Sequence, residues 1–183
     1  TCALPIYENY IKDIALKIYR IYQQRLKIMN CVDFGDLILH CVTIFKTMPE
    51  ILELYHNNFK YILVDEYQDT SHDQYTLIKL LSAKNKNIFA IGDDAQSIYA
   101  FRGANIRNIL QFEADYPQAR SILLEQNYRS TQNILSAANS VIANNENRKE
   151  KNLWSESGAG STLVGYVAES EHNEAEYVVS EIS

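Results

Sequence analysis

Two adjacent carboxylates, Asp65 and Glu66, close the apolar run 61–64, and Gln68 follows two residues later. A short apolar run of this kind reads as a buried strand, which would deliver the polar side chains to the mouth of a parallel sheet, a place for a nucleotide. Hydrolysing a phosphoanhydride needs a hard oxygen ligand for Mg²⁺ and a carboxylate that orients and deprotonates an in-line water. Two neighbouring carboxylates can divide those tasks. An isolated Asp-Glu pair is more often an acidic turn, but the full string D-E-x-Q-D-T from Asp65 to Thr70 favours chemistry.

Two more blocks repeat the pattern of polar residues at the end of an apolar run. After residues 88–91, Gly92-Asp93 permits a tight turn and Gln96 offers an amide to a phosphate oxygen. Tyr99, Phe101 and Arg102 then place two rings and a cation within four residues. Rings so placed can stack on unpaired bases at about 1–3 kcal/mol each, with Arg102 pairing with phosphate or lying over a ring. Without the preceding Gly-Asp-x-x-Gln-Ser they would read as core. In the third block Tyr128-Arg129 follows the run 121–124. A guanidinium there can neutralise charge on a transferred phosphoryl group when two lobes close.

The elements that must position these blocks are legible in outline. Apolar residues recur at three- and four-residue steps from Ile11 to Met29, predicting an amphipathic helix whose stripe packs into a core. Asp33 with Asp36 predicts a helix cap, with Leu37, Ile38, Cys41, Ile44 and Phe45 on the helix that follows, and Pro49 opens another short helix. Strands are expected at 61–64, 88–91 and 121–124, alternating with helices at 75–81 and 106–112. A further helix, capped at Ser130 or Thr131, should turn Ile134, Leu135, Ala138, Val141 and Ile142 inward. This alternation implies right-handed crossovers and an α/β fold with a parallel sheet. After a Ser- and Gly-rich loop at 155–161 come a strand at 163–168 and a helix bearing Ala175, Val178, Val179 and Ile182 on one face.

The 183 residues, 46% hydrophobic and 11% aromatic, suffice for one domain or two partial ones. There is no apolar run of membrane-spanning length and no secretory signal pattern, so a cytoplasmic protein is expected. Cys2, Cys31 and Cys41 form neither a disulfide framework nor a C-x-x-C pair and read as buried thiols. His40, His56, His72 and His172 lack metal-ligand spacing. The net charge of −6 argues mildly against a free-standing nucleic-acid binder, although a local basic groove with aromatics would be enough for a single strand.

The three blocks, in this order and spacing, resemble motifs II, III and IV of superfamily 1A DNA helicases of the UvrD/Rep/PcrA group. The resemblance runs from about Tyr7 to the last residue. It implies parts of two RecA-like cores, with residues 7–29 ending an inserted helical subdomain, 30–121 completing the first core and 122–183 opening the second. It also implies ATP and Mg²⁺ as cofactors, with Asp65 on the metal, Glu66 as general base, Gln68 and Gln96 at the γ-phosphate, Tyr128 on the adenine and Arg129 as arginine finger. The ATP site would then lie between the two cores. Tyr99, Phe101 and Arg102 would meet single-stranded DNA or a single/double-strand junction. Phe101 stands where many relatives carry Trp, so weaker stacking is expected.

None of the six glycines forms a G-x-x-x-x-G-K-[ST] loop. With motifs I, Ia, V and VI also outside these residues, the expectation is a 3′ to 5′ helicase in the parent and no activity in the 183 residues alone. Residues 1–6 resemble a translated sequencing adapter and are set aside as a non-native leader. Two alternatives remain at this point: the motor part of a helicase–nuclease subunit, or a non-catalytic binding remnant.

Overall fold

The computed structural model describes the backbone of residues 4–145 and 148–183, and side chains from Tyr10 onward. The first three residues of the expected leader, Cys2 among them, lie outside the described residues. The chain divides into two compact units, Thr1–Gln118 and Ala119–Ser183.

The first unit opens with three helices, α1 (Leu4–Ile28), α2 (Phe34–Thr47) and α3 (Pro49–Asn58). Local chemistry sets their boundaries. Asp33 and Asp36 form a reciprocal capping box at the start of α2, the Asp33 carboxylate accepting the Asp36 N–H at 2.8 Å. That bond, together with one from Tyr22, holds Asp33 below the usual carboxylate range. Pro49 occupies the first turn of α3, where a missing N–H costs nothing.

β1 (Ile62–Val64) and β2 (Ile88–Ala90) then pair in parallel with Ile62 opposite Ile88 and Val64 opposite Ala90. The crossover between them is α4 (His72–Ser82), which starts on a second capping box of Ser71 and Gln74. The inward faces of α2, α3 and α4 pack together around Val42 and Phe45, and the Phe45 ring lies 5.0 Å from Tyr55. Period-two alternation turns Leu63 and Phe89 outward on the strands, 74% and 58% exposed.

Several expectations fail here for one reason, that burial and pairing depend on a partner surface. The α1 stripe is largely exposed, because α1 meets α2 through polar contacts near its C-terminal end: Gln23 donates to Asp36 at 3.2 Å and Tyr22 to Asp33 at 3.0 Å. Cys31 and Cys41 are exposed thiols. Cys41 sits on α2 beside the inward Val42, about 100° around the helix from it. The helix expected at 106–112 is broken at Gln111 into α5 (Arg107–Leu110) and α6 (Phe112–Asp115).

The second unit holds α7 (Gln132–Ile142) and α8 (Glu171–Ile182). The runs 121–124 and 163–168 form no ladder among the described residues; in the second unit the isolated bridge described joins Gln126 to Trp154. A strand exists only through its neighbour's hydrogen bonds, and Ile122, Leu124 and Val167 remain 66%, 76% and 94% exposed. On α7 Leu135 is buried while Ile134, Ala138 and Val141 face outward, and the apolar face of α8 is likewise exposed.

Candidate nucleotide and nucleic-acid site

At the end of β1 the backbone turns sharply. Asp65 is exposed and its Oδ1 accepts the Glu66 N–H at 2.9 Å. Glu66 takes a left-handed backbone conformation (φ 49°, ψ 45°), which costs a residue with a Cβ about 1–2 kcal/mol. The turn sends Tyr67 back into the core. Its N–H donates to Ile91 O at 3.0 Å, and its fully buried ring meets Phe112 edge-on at 5.3 Å. Burial pushes the Tyr67 phenol well above its ordinary ionisation range. Asp65 and Glu66 are thereby left at the rim of an open cleft of about 410 Å³, floored by Ile38, Val64, Leu77 and Ile78.

Gln68 ties this acid loop to the turn after β2. It is only 1% exposed, and both ends of its amide are engaged. Nε2 donates to Glu66 Oε2 at 2.7 Å and to Asp69 Oδ2 at 3.4 Å, while Oε1 accepts the Asp93 N–H at 3.0 Å. The turn approaches so closely that a Cβ on Gly92 would lie 2.8 Å from Gln68 Oε1 and 2.7 Å from Ile109 Cδ1. Gly92 is therefore needed for close approach, while its φ lies outside the left-handed region and the turn itself does not require a glycine. Beyond it, exposed Gln96 donates to Asp93 Oδ2 at 2.8 Å, and Asp93 Oδ1 accepts the Ala95 N–H at 2.9 Å.

The next loop gathers the aromatic and cationic residues. The Tyr99 and Phe101 rings are 6.0 Å apart, and Arg102 Cζ lies 5.3 Å and 5.4 Å from their centroids. The Phe101 ring is 78% exposed, an open stacking face beside a delocalised cation. Asp65, Glu66, Gln68, Gln96, Tyr99, Phe101 and Arg102 thus belong to one continuous set of loops in the first unit.

Tyr128 and Arg129 belong to the second unit. Asn127 Oδ1 accepts the N–H groups of Arg129 at 2.9 Å and Ser130 at 2.8 Å, fixing the turn that carries them. The Asn127 N–H donates to Trp154 O at 2.7 Å, so a later segment braces this turn. Tyr128 is 83% exposed, its hydroxyl donating to Gln126 Oε1 at 2.9 Å. The expected side-chain cap at Thr131 is not formed; Thr131 is the cap residue in backbone terms only. Backbone carbonyls take that role, the Gln132 N–H donating to Gly158 O at 2.9 Å and the Asn133 N–H to Ala159 O at 3.0 Å. Gly160, at φ 75°, lies so close that a Cβ there would overlap the Thr131 side chain.

Sequence reasoning missed two asparagines. Asn127 lay inside the third block and could have been read as a turn-forming side chain. Asn108 carried no sequence signal: it is 4% exposed and donates to Thr70 O at 3.0 Å, Thr70 Oγ1 at 3.1 Å and Ser71 O at 3.4 Å.

A parallel strand pair joined by a helical crossover, with the candidate loops issuing from the strands' C-terminal ends, is the architecture of a partial RecA-like helicase domain. Residues 5–117 match the family model for the UvrD/REP helicase N-terminal domain, and residues 122–183 that for the UvrD-like helicase C-terminal domain. The chain belongs to the UvrD/REP helicase family. It is 55% identical over 172 residues to the ATP-dependent DNA helicase UvrD1 of Mycobacterium tuberculosis, covering 90% of this chain and 22% of that protein. It is 54% identical over 174 residues to the ATP-dependent DNA helicase PcrA of Staphylococcus epidermidis, and 51% to that of Staphylococcus aureus, in each case covering 95% of this chain and 24% of the relative. The chain therefore spans about a quarter of the length of these relatives. Among the described residues no helix is long and apolar enough to cross a membrane.

Proposed function

We propose that the complete polypeptide is an ATP-dependent DNA helicase that translocates 3′ to 5′ on single-stranded DNA and opens duplexes at single/double-strand junctions in the cytoplasm. The observation that carries this reading is the Gln68 bridge, a buried amide joining Glu66 on the acid loop to the turn that leads to the aromatic cluster. A motor needs such a path between the bond it hydrolyses and the strand it grips.

In this reading Glu66 accepts the proton of the attacking water, and Gln96 reports the state of the γ-phosphate. Arg129, on the turn braced by Asn127, is assigned to the charge developing on the transferred phosphoryl group, and Tyr128, with its exposed ring, to the adenine. Gln68, with its amide fully engaged, orders the loop around the phosphate from below.

The donor set fits Mg²⁺. Asp65 offers an exposed hard-oxygen carboxylate, and this cation keeps several waters while taking further oxygens from phosphates. No cluster of three or more potential metal ligands occurs among the described residues, and one carboxylate suffices for that mode. Bound there, the ion would offset phosphate charge.

Because the 183 residues hold no phosphate-binding glycine loop, they should hydrolyse no ATP by themselves. The test uses the complete polypeptide on duplexes with a 3′ or a 5′ single-stranded tail. ATP-dependent opening of the 3′-tailed duplex is expected, with Glu66→Gln lowering turnover by about 10²–10⁴-fold and leaving ATP binding. A complete protein that binds DNA without hydrolysing ATP would instead establish a binding module.

A further inference from the structure

The aromatic loop is clipped to the acid loop at both of its roots. At its start the Ser97 hydroxyl donates to Gln68 O at 3.4 Å. At its end Ala104 bridges to Ser71, and the Asn105 N–H donates to Thr70 O at 3.0 Å. Thr70, 7% exposed, turns its own hydroxyl back to Tyr67 O at 2.8 Å. Asn108 stands behind this second root, and one buried amide reaches three acceptors on Thr70 and Ser71. It touches neither the cleft beside Asp65 nor the rings of Tyr99 and Phe101.

We infer that Asn108 is a positioning residue that sets the stance of the Tyr99–Phe101–Arg102 cluster relative to the acid loop, and so governs how strongly single-stranded DNA stimulates ATP hydrolysis. This rests on the helicase reading above and adds a residue outside the three motif blocks. Three features carry it. The amide is a donor in every contact named, so a donor, not merely a space-filling group, is what the site uses. Its acceptors belong to the residues that end the acid loop. Its own helix, α5, begins three residues after the Ala104 bridge, so the amide fixes where the aromatic loop re-enters the fold.

The chemistry yields a signature that plain packing would not give. In Asn108→Ala the donor is lost and two oxygens of Thr70 and one of Ser71 lose a partner. In Asn108→Asp, nearly the same shape, a carboxylate faces the Thr70 and Ser71 carbonyls and is repelled by them, and the Thr70 hydroxyl can donate to it only by giving up Tyr67 O. The charged form is the one disfavoured, so protonation turns the side chain back into a donor. The aspartate variant should therefore be worse than alanine at neutral pH and recover as the solution is acidified. A site that needs only volume would rank them the other way.

The test measures ATPase of the complete polypeptide against oligo-dT concentration, across pH, for the native protein, Asn108→Ala, Asn108→Asp and Thr70→Val. Asn108→Ala should raise the half-saturating oligo-dT concentration about tenfold, the loss falling there rather than on DNA-free turnover. Asn108→Asp should raise it further at neutral pH and approach the native value at mild acid. Thr70→Val, which removes one acceptor and leaves α5 intact, should shift it about threefold in the same direction. Half-saturation within twofold of native in Asn108→Ala and Thr70→Val overturns the inference if Phe101→Ala still raises it, since that result leaves the helicase reading standing. Equal pH profiles for the aspartate and alanine variants also overturn it. If oligo-dT fails to stimulate the native protein at all, it is the helicase reading that falls.

Discussion

Replacing Gly92 by Ala tests whether the acid loop and the β2 turn are packed as tightly as their hydrogen bonds imply. The new Cβ would meet Ile109 Cδ1 at 2.7 Å, Gln68 Oε1 at 2.8 Å and Tyr67 Cβ at 3.3 Å. Comfortable contacts between heavy atoms begin near about 3.5 Å, so something must move by the better part of an ångström. The Ile109 methyl can swing aside. Gln68 cannot, because its oxygen holds the Asp93 N–H and its nitrogen holds Glu66 within a buried site.

Losing one buried hydrogen bond costs about 1–3 kcal/mol and overpacking about 1–3 more. Alanine's less flexible unfolded chain returns about 0.4–1 kcal/mol. A net destabilisation of about 2–4 kcal/mol is expected, read by urea titration of far-ultraviolet circular dichroism. Gly165→Ala, whose added Cβ meets nothing within 4 Å, is the matched control and should stay within about 0.5 kcal/mol. In a Gln68→Ala background the oxygen is gone, so the two substitutions should be non-additive by about 1 kcal/mol or more. A Gly92→Ala chain as stable as the control, or the same cost in both backgrounds, would refute the packing argument.

Other outcomes follow from the same geometry. Arg129→Ala in the complete polypeptide should lower turnover by about a thousandfold with ATP affinity little changed, and turnover within tenfold of native would remove Arg129 from phosphoryl-charge stabilisation. Asp115 accepts from Tyr75 at 2.5 Å and Lys79 at 2.8 Å, and although burial pushes the other way these bonds hold it below the usual carboxylate range. Its stabilisation is therefore present above the unfolded-state value of about 4 and is lost as pH falls below that. Asp115→Asn should cost about 1 kcal/mol at neutral pH, a gap to the native protein that closes in acid. A gap independent of pH would show that the ion pair contributes nothing through charge.

Features governed by neighbouring residues were legible in the sequence. The Asp33 capping box, Pro49 at the start of α3, and both strands with their carboxylate and Gly-Asp termini emerged where spacing placed them. Features that depend on a distant surface were not. The runs 121–124 and 163–168 have strand composition, yet composition cannot supply a pairing neighbour. The α1 stripe has helix periodicity without the apolar face needed to bury it. Likewise, no local pattern separates Asn108, whose partner Thr70 lies 38 residues away, from the asparagine of an ordinary helix surface.

The carbonyl cap on α7 has a bearing on the order in which the second unit comes together. Gly158 and Ala159 hold the first N–H groups of the helix, and Trp154 holds the Asn127 turn beside it. During synthesis, the segment carrying Tyr128 and Arg129 leaves the ribosome well before the residues that brace it. The turn that carries Arg129 is thus braced late, once residue 160 or so has emerged. A ribosome paused before that point would present helix-forming sequence whose first N–H groups still lack their carbonyl partners.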